Sequence, residues 1–139
     1  MNRVLGLDIG ERWIGVAISD ETFTIATPLV TIERTSNKTA YNEINKLLEK
    51  YQVKKVVVGL PKNMNNTLGP TSDMVIKFAE KLKNKFRLEL IYVDERMTTL
   101  MATDVLKEAS VRRENRKKYV DKLAAAFILK TYMDSVFRG

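Results

Sequence analysis

Short, dense apolar runs alternate along this chain with stretches in which apolar residues recur every three or four positions. Arg3 to Ile9 is mostly apolar and is ended by Gly10, the pattern of a buried strand. Trp13 to Ser19 reads as a second strand, Asp20-Glu21-Thr22 as a turn, and Phe23 to Ile32 as a third strand. The spacers are too short for a parallel crossover, so these three runs predict an antiparallel meander. Ala40, Ile44, Leu47, Leu48 and Tyr51 then fall at helical spacing. Val53 to Val58 is a β-branched run stopped by Gly59-Leu60-Pro61, as expected of a central strand, and a polar loop follows from Lys62 to Gly69. Pro70 suits the first turn of a second helix, whose apolar face is Val75, Phe78, Ala79, Leu82 and Phe86. Leu88 to Val93 gives a fifth strand, about Thr99 to Glu108 a third helix, and about Lys118 to Val136 a last one after a basic stretch. The order βββαβαβαα, with right-handed crossovers, predicts an α/β fold. Its mixed five-stranded sheet would have strands 4 and 5 parallel to strand 1 and helices on both faces.

The chain length of 139 residues fits a single domain spanning 1–139, and no linker, repeat or low-complexity tract divides it. Composition changes the picture mainly by what is missing. With no cysteine there is no disulfide framework, thiolate zinc site or cysteine nucleophile. With no histidine there is no serine–histidine–acid triad, no HExxH site and no imidazole base. Any enzymatic chemistry must come from carboxylates, lysines, hydroxyls or a metal with oxygen ligands, which favours magnesium or manganese. The net charge of +7 suits a polyanionic partner. The longest uncharged apolar run, Leu123 to Leu129, has seven residues against the roughly 20 needed to span a bilayer. We expect a cytoplasmic protein with no membrane partner.

Three acids stand at element ends. Asp8 closes the first strand in Gly6-Leu7-Asp8-Ile9-Gly10, and Asp94-Glu95 closes the fifth in Val93-Asp94-Glu95-Arg96. If strands 1 and 5 are parallel, these ends share the sheet edge where α/β folds bind ligands. Asp121 lies in the first turn of the expected last helix, and Ala124 and Ala125 share its face. That small apolar face would let the helix lie close to the sheet. Three gathered carboxylates repel one another, and a divalent cation removes the conflict. Two such ions roughly 3.5–4 Å apart form a clamp for in-line displacement at phosphate, chemistry that needs no histidine. Taken singly, each acid is more often a turn or cap residue. Their conjunction in one order is what points to a site.

Gly6-Leu7-Asp8-Ile9-Gly10, Ile14-Gly15-Val16-Ala17 with Ser19-Asp20, Gly59-Leu60-Pro61, Asp94-Glu95-Arg96 with Thr98-Thr99, and Asp121 with Leu123-Ala124-Ala125 together resemble the YqgF (RuvX) family. The match runs in order over nearly the whole chain. The resemblance implies an RNase H-like fold related to the Holliday-junction resolvase RuvC, and a nuclease that matures the 5′ end of pre-16S ribosomal RNA. It also implies that Asp8, Glu95 and Asp121 are the metal-binding and catalytic acids; the choice of Glu95 over Asp94 rests on it alone. The chain departs from the family in Asn63-Met64-Asn65-Asn66-Thr67, where an Asp-Gly is common. Asparagine tolerates the left-handed backbone of a turn, but the carboxylate is gone.

Seven positive residues and three acids lie between Lys107 and Lys122. Arg112, Arg113, Arg116, Lys117, Lys118 and Lys122 are the candidates for gripping a nucleic-acid backbone beside Asp121, without reading its sequence. Trp13 and Tyr119 are candidates for base stacking, although a tryptophan in a strand more often belongs to the core or the sheet surface. The leading expectation is a Mg²⁺- or Mn²⁺-dependent phosphodiesterase on structured RNA, monomeric or homodimeric. Its rivals are a resolvase of four-way DNA junctions, which needs two active sites, and a non-catalytic RNA- or transcription-associated module. An actin-like ATPase also opens with Asp-x-Gly, but needs a second domain that this chain is too short to supply.

Overall fold

The structure is a computed structural model that describes residues 3–60, 69–94 and 113–138, with Pro70, 113–121 and 137–138 as backbone only. Five strands form one sheet in the order β3-β2-β1-β4-β5: β1 (Val4–Ile9), β2 (Trp13–Ser19), β3 (Ala26–Glu33), β4 (Lys55–Leu60) and β5 (Glu89–Asp94). β1, β2 and β3 pair antiparallel, whereas β4 lies parallel to β1 and β5 parallel to β4. Among the described residues three helices accompany the sheet: α1 (Asn37–Tyr51), α2 (Pro70–Phe86) and α3 (Arg113–Arg138). The mixed sheet with a meander at one end is the one expected. The expected helix from Thr99 to Glu108 lies outside the described residues.

Strand alternation sorts the side chains into two cores. Leu5, Leu7, Ile14, Val16, Val56 and Val58 face α1 and α2, where they meet Ile44, Phe78 and Leu82. Val4, Ala17 and Val57 face α3, where they meet Ala125, Ile128, Leu129 and Met133. Helices therefore cover both faces.

Several boundaries differ from the sequence reading, for local reasons. α1 starts at Asn37 because the Ser36 hydroxyl accepts from the Thr39 N–H at 3.1 Å and caps it. It ends with Gln52 in the left-handed region, φ 54°, after which buried Val53 donates its N–H to Leu48 O at 2.9 Å. Val53 thus completes a helix cap, and β4 runs from Lys55 to Leu60, not from Val53 to Val58. α2 ends in the same way, with Arg87 at φ 55° and buried Leu88 bonded to Lys83 O at 3.0 Å. β3 begins at Ala26, not Phe23, because residues 20–25 fold into a turn around Asp20, with Phe23 at φ 60°. The last helix takes in most of the basic stretch, beginning at Arg113 and not near Lys118. Arginine, lysine and glutamate are good helix formers, so the charge run does not break it.

Candidate active site

The sheet dictates what surrounds Asp8. Leu7 and Ile9 point into the core beneath α1 and α2, so the half-buried Asp8 between them belongs to the α3 face. Its register partner on β2 is Gly15. On the other side Leu7 is level with Val58, and the same register continued by one residue brings Gly59 level with Asp8. Neither neighbouring strand sets a side chain beside the carboxylate on its own face. Sequence reasoning read Gly59 as the stop of its strand; the strand runs through it to Leu60. The two glycines are neighbours of Asp8 that only the register identifies.

α3 crosses this face at close range. A Cβ on Gly6 would stand 2.8 Å from Leu129 Cβ and 2.9 Å from the Ala125 carbonyl oxygen, so only glycine admits the helix there. The late turns of α3 lie over the strand starts: Lys55 Nζ donates to the Tyr132 hydroxyl at 3.2 Å, and Met133 packs with Val4. The helix therefore runs against the direction of β1, and its earlier turns approach the end of that strand. Gly6 to Asp8 is two residues of strand, about 6.6 Å. Ala125 back to Asp121 is four residues of helix, about 6 Å, with both on one face. Asp121 stands on α3 at the level of Asp8.

Asp94 does not join them. It is level with Leu60, which is buried among the α1–α2 residues, while Ile91 and Val93 pack on the α3 side. Alternation thus leaves Asp94 on the face opposite Asp8. Glu95 and Arg112 lie outside the described residues. Arg113, Arg116, Lys117 and Lys118 fall on the first turns of α3, and Lys122, half-buried, follows Asp121 directly. Among the described residues no three acidic or other ligand side chains gather as a metal cluster. Of the three expected ligands, only Asp8 has a described side chain.

The turn after Asp8 is pinned from two sides. The Gly10 N–H donates to the Trp13 carbonyl at 2.9 Å, and Arg34 Nη1 donates to the Gly10 carbonyl at 3.0 Å. Arg34 also gives Nε and Nη2 to Asn37 Oδ1 at 3.0 and 2.9 Å, and its guanidinium lies 4.6 Å from the centre of the Phe78 ring. One arginine thus ties the β1–β2 turn to both helices beneath the sheet. A single arginine after a strand carries no sequence signal for such a task, and its role was missed.

Comparison with known proteins follows the same outline. The sequence model of the RuvX family, described as Holliday junction resolvase, matches residues 2–135. A protein of Thermoanaerobacter pseudethanolicus is 50% identical over 134 residues, 96% of each chain, and one of Caldanaerobacter subterraneus subsp. tengcongensis is 52% identical over the same shares. Both carry the name "Putative pre-16S rRNA nuclease". Among solved structures, T. thermophilus RuvC in complex with Holliday junction substrate superposes with a TM-score of 0.63 at 12% identity, covering 99% of this chain and 97% of that one. The fowlpox virus resolvase, in complex with substrate Holliday junction DNA, gives 0.56 at 17% identity, covering 96% and 98%. At these identities the likeness is one of fold: RuvC-like, of the RNase H class.

Proposed function

The chain belongs to the RuvX family and is a nuclease, and we propose that its substrate is precursor 16S ribosomal RNA, cut with Mg²⁺ or Mn²⁺ held by Asp8, Glu95 and Asp121. The observation that carries the site is the levelling of Asp8 and Asp121 across one sheet face, with glycine on both sides of Asp8. Glu95 is favoured over Asp94 by the resemblance, and because Asp94 lies on the sheet face opposite Asp8. Residues 1–139 would act as one domain.

The residues fit a hard cation. The donors are all carboxylate oxygens, and the floor around Asp8 is kept open by Gly15 and Gly59. A bound divalent ion supplies the Lewis acidity that activates water and steadies the leaving oxygen. The protein's own part is to position. Asp8 is held by strands on both sides, and the turn beyond it is fixed by Trp13 and Arg34. Arg112, Arg113, Arg116, Lys117, Lys118 and Lys122 would hold the phosphate backbone without reading bases. Work on ribosomal precursors would set the protein in the cytoplasm.

A second reading, cleavage of four-way DNA junctions, is favoured by the family's description and requires a dimer with two sites. Both are tested by incubating the protein with 5′-extended pre-16S RNA and with a synthetic junction, in magnesium, manganese or chelator. RNA is expected to be cut only with metal. Asp8→Asn is expected to lose on the order of 100-fold or more in rate while still binding, since even outer-shell partners of metal ligands are worth 10–100-fold. Full activity of that variant would refute the site, and a cut junction beside intact RNA would make the second reading the right one.

A further inference from the structure

The side of the sheet opposite Asp8 carries a second group of cations, which cleavage as derived above does not use. Between α1 and α2 lies a groove of about 460 Å³, walled by Arg34, Lys77 and Lys81. Its lining follows from helical spacing. Asn37 and Tyr41 stand one turn apart on α1, and Met74, Lys77, Phe78 and Lys81 recur at i, i+3, i+4 and i+7 on α2. Tyr41 and Phe78 are buried, with their rings stacked at 4.6 Å, and form an aromatic floor. Among the described residues Asp73 is the one acid in the lining, so three positive charges face one negative.

The walls are set up for a polyanion. Lys77 and Lys81 are exposed, and among the described residues neither has an ion-pair partner. By contrast Lys46, Lys55, Lys83 and Lys130 each have a carboxylate within 3.9 Å. The two free lysines are four residues apart, about 6 Å along the helix, so each can meet a separate phosphate of one strand. Arg34 stands at the head of the groove and is fixed there, since its Nη1 donates to the Gly10 carbonyl at 3.0 Å. Gly10 is two residues past Asp8, so the groove opens at the sheet edge where Asp8 stands. It runs from there beneath the sheet, because α2 ends beside the strand starts, where the Glu89 N–H donates to the Lys54 carbonyl at 2.9 Å.

We propose that this groove holds the phosphate backbone of a second segment of the RNA, one that leaves the site at Asp8, turns past Gly10 and lies between α1 and α2. The proposal rests on the nuclease reading and adds a substrate requirement. A structured RNA long enough to reach both sides of the sheet is gripped on both, and a short oligonucleotide on one. Backbone contacts carry no sequence information, so the selection is for shape and length.

The chain contains no cysteine, so Lys77→Cys introduces a unique thiol in the groove. In an Asp8→Asn background, which leaves RNA whole, a saturating stem-loop RNA with a long 5′ extension is expected to slow maleimide alkylation of that thiol several-fold. A short oligonucleotide, shown to be bound by anisotropy, is expected to leave the rate unchanged. Lys46→Cys, exposed on the far side of α1, should react equally fast with and without either RNA. Lys77→Ala with Lys81→Ala should make log K for the long RNA shallower against log salt by about 1.4, the share of two single-strand phosphates, and leave the short one unaffected. Equal protection at both positions, or a bound long RNA that protects neither, overturns the groove. So does protection by inorganic phosphate alone, which would make it a small-anion site, or protection that grows with protein concentration without RNA, which would make it a contact between copies. A wild type that cuts RNA while the thiol stays open to alkylation sinks the groove alone. Protection by long RNA in a protein that never cuts would keep the groove and remove the nuclease reading.

Discussion

Asp20 shows what one exposed carboxylate can organise. Its Oδ1 accepts from the Thr24 N–H at 2.7 Å and the Ile25 N–H at 2.8 Å, and its Oδ2 accepts from the Thr22 hydroxyl. These bonds, the Ile25 amide foremost, draw its pKa from 3.8 down to about 2. Because the folded value is the lower one, the charged form stabilises the fold. That stabilisation is complete above pH 3.8 and is lost as the pH falls toward 2. Asp20→Asn is therefore expected to melt at a lower temperature than the wild type at pH 7, with the gap closing between pH 4 and 2. Thermal melts across that range decide it; a gap independent of pH would mean that the carboxylate charge is idle. The neighbouring Ser19 is likewise structural: buried on β2, its hydroxyl accepts the Val4 N–H at 2.8 Å. Ser19-Asp20, part of the sequence likeness to the family, is accounted for by strand and turn rather than by chemistry.

Between elements, the approach of α3 to β1 is the contact on which the proposed site depends. Gly6→Ala would place a methyl group 2.8 Å from Leu129 Cβ and 2.9 Å from a backbone carbonyl, so the helix must lift. We expect a loss of roughly 1–3 kcal/mol, as in other overpacked contacts. The cleavage rate should fall further than in an equally destabilised variant whose change lies beneath α1, because Asp121 is one turn from Ala125. Comparing both variants by melting temperature and by rate, at a temperature where each is folded, separates the two effects. The strands themselves were legible because burial writes apolar runs, and Asp8 was legible because it interrupts one. Their ends were not, since Gln52 and Arg87 adopt the left-handed conformation without being glycine and hide two helix caps. Nor could sequence decide between Asp94 and its neighbour, find Gly59 beside Asp8, or see Arg34 reach Gly10. Each of these depends on register or on a contact 24 or more residues apart in sequence, which local pattern does not encode.

For the molecule as a whole, the +7 charge has a measurable signature if the first turns of α3 hold a phosphate backbone. Each phosphate contact releases condensed counterions, steepening log K against log salt by about 0.7 for single-stranded and 0.9 for duplex nucleic acid. Replacing Arg116, Lys117 and Lys118 together by alanine should make the slope for unpaired RNA shallower by about 2 if each touches a phosphate. The expected kinetic counterpart is a raised KM with kcat nearly unchanged at saturating RNA, since these residues grip the strand away from the reacting bond. Alanine is also the better helix former, so the triple variant should retain α3 and its melting temperature. An unchanged slope and KM would make this stretch an ordinary solvated helix face and move the grip elsewhere. A fall in kcat with the slope intact would instead place one of the three beside the chemistry, with Asp121.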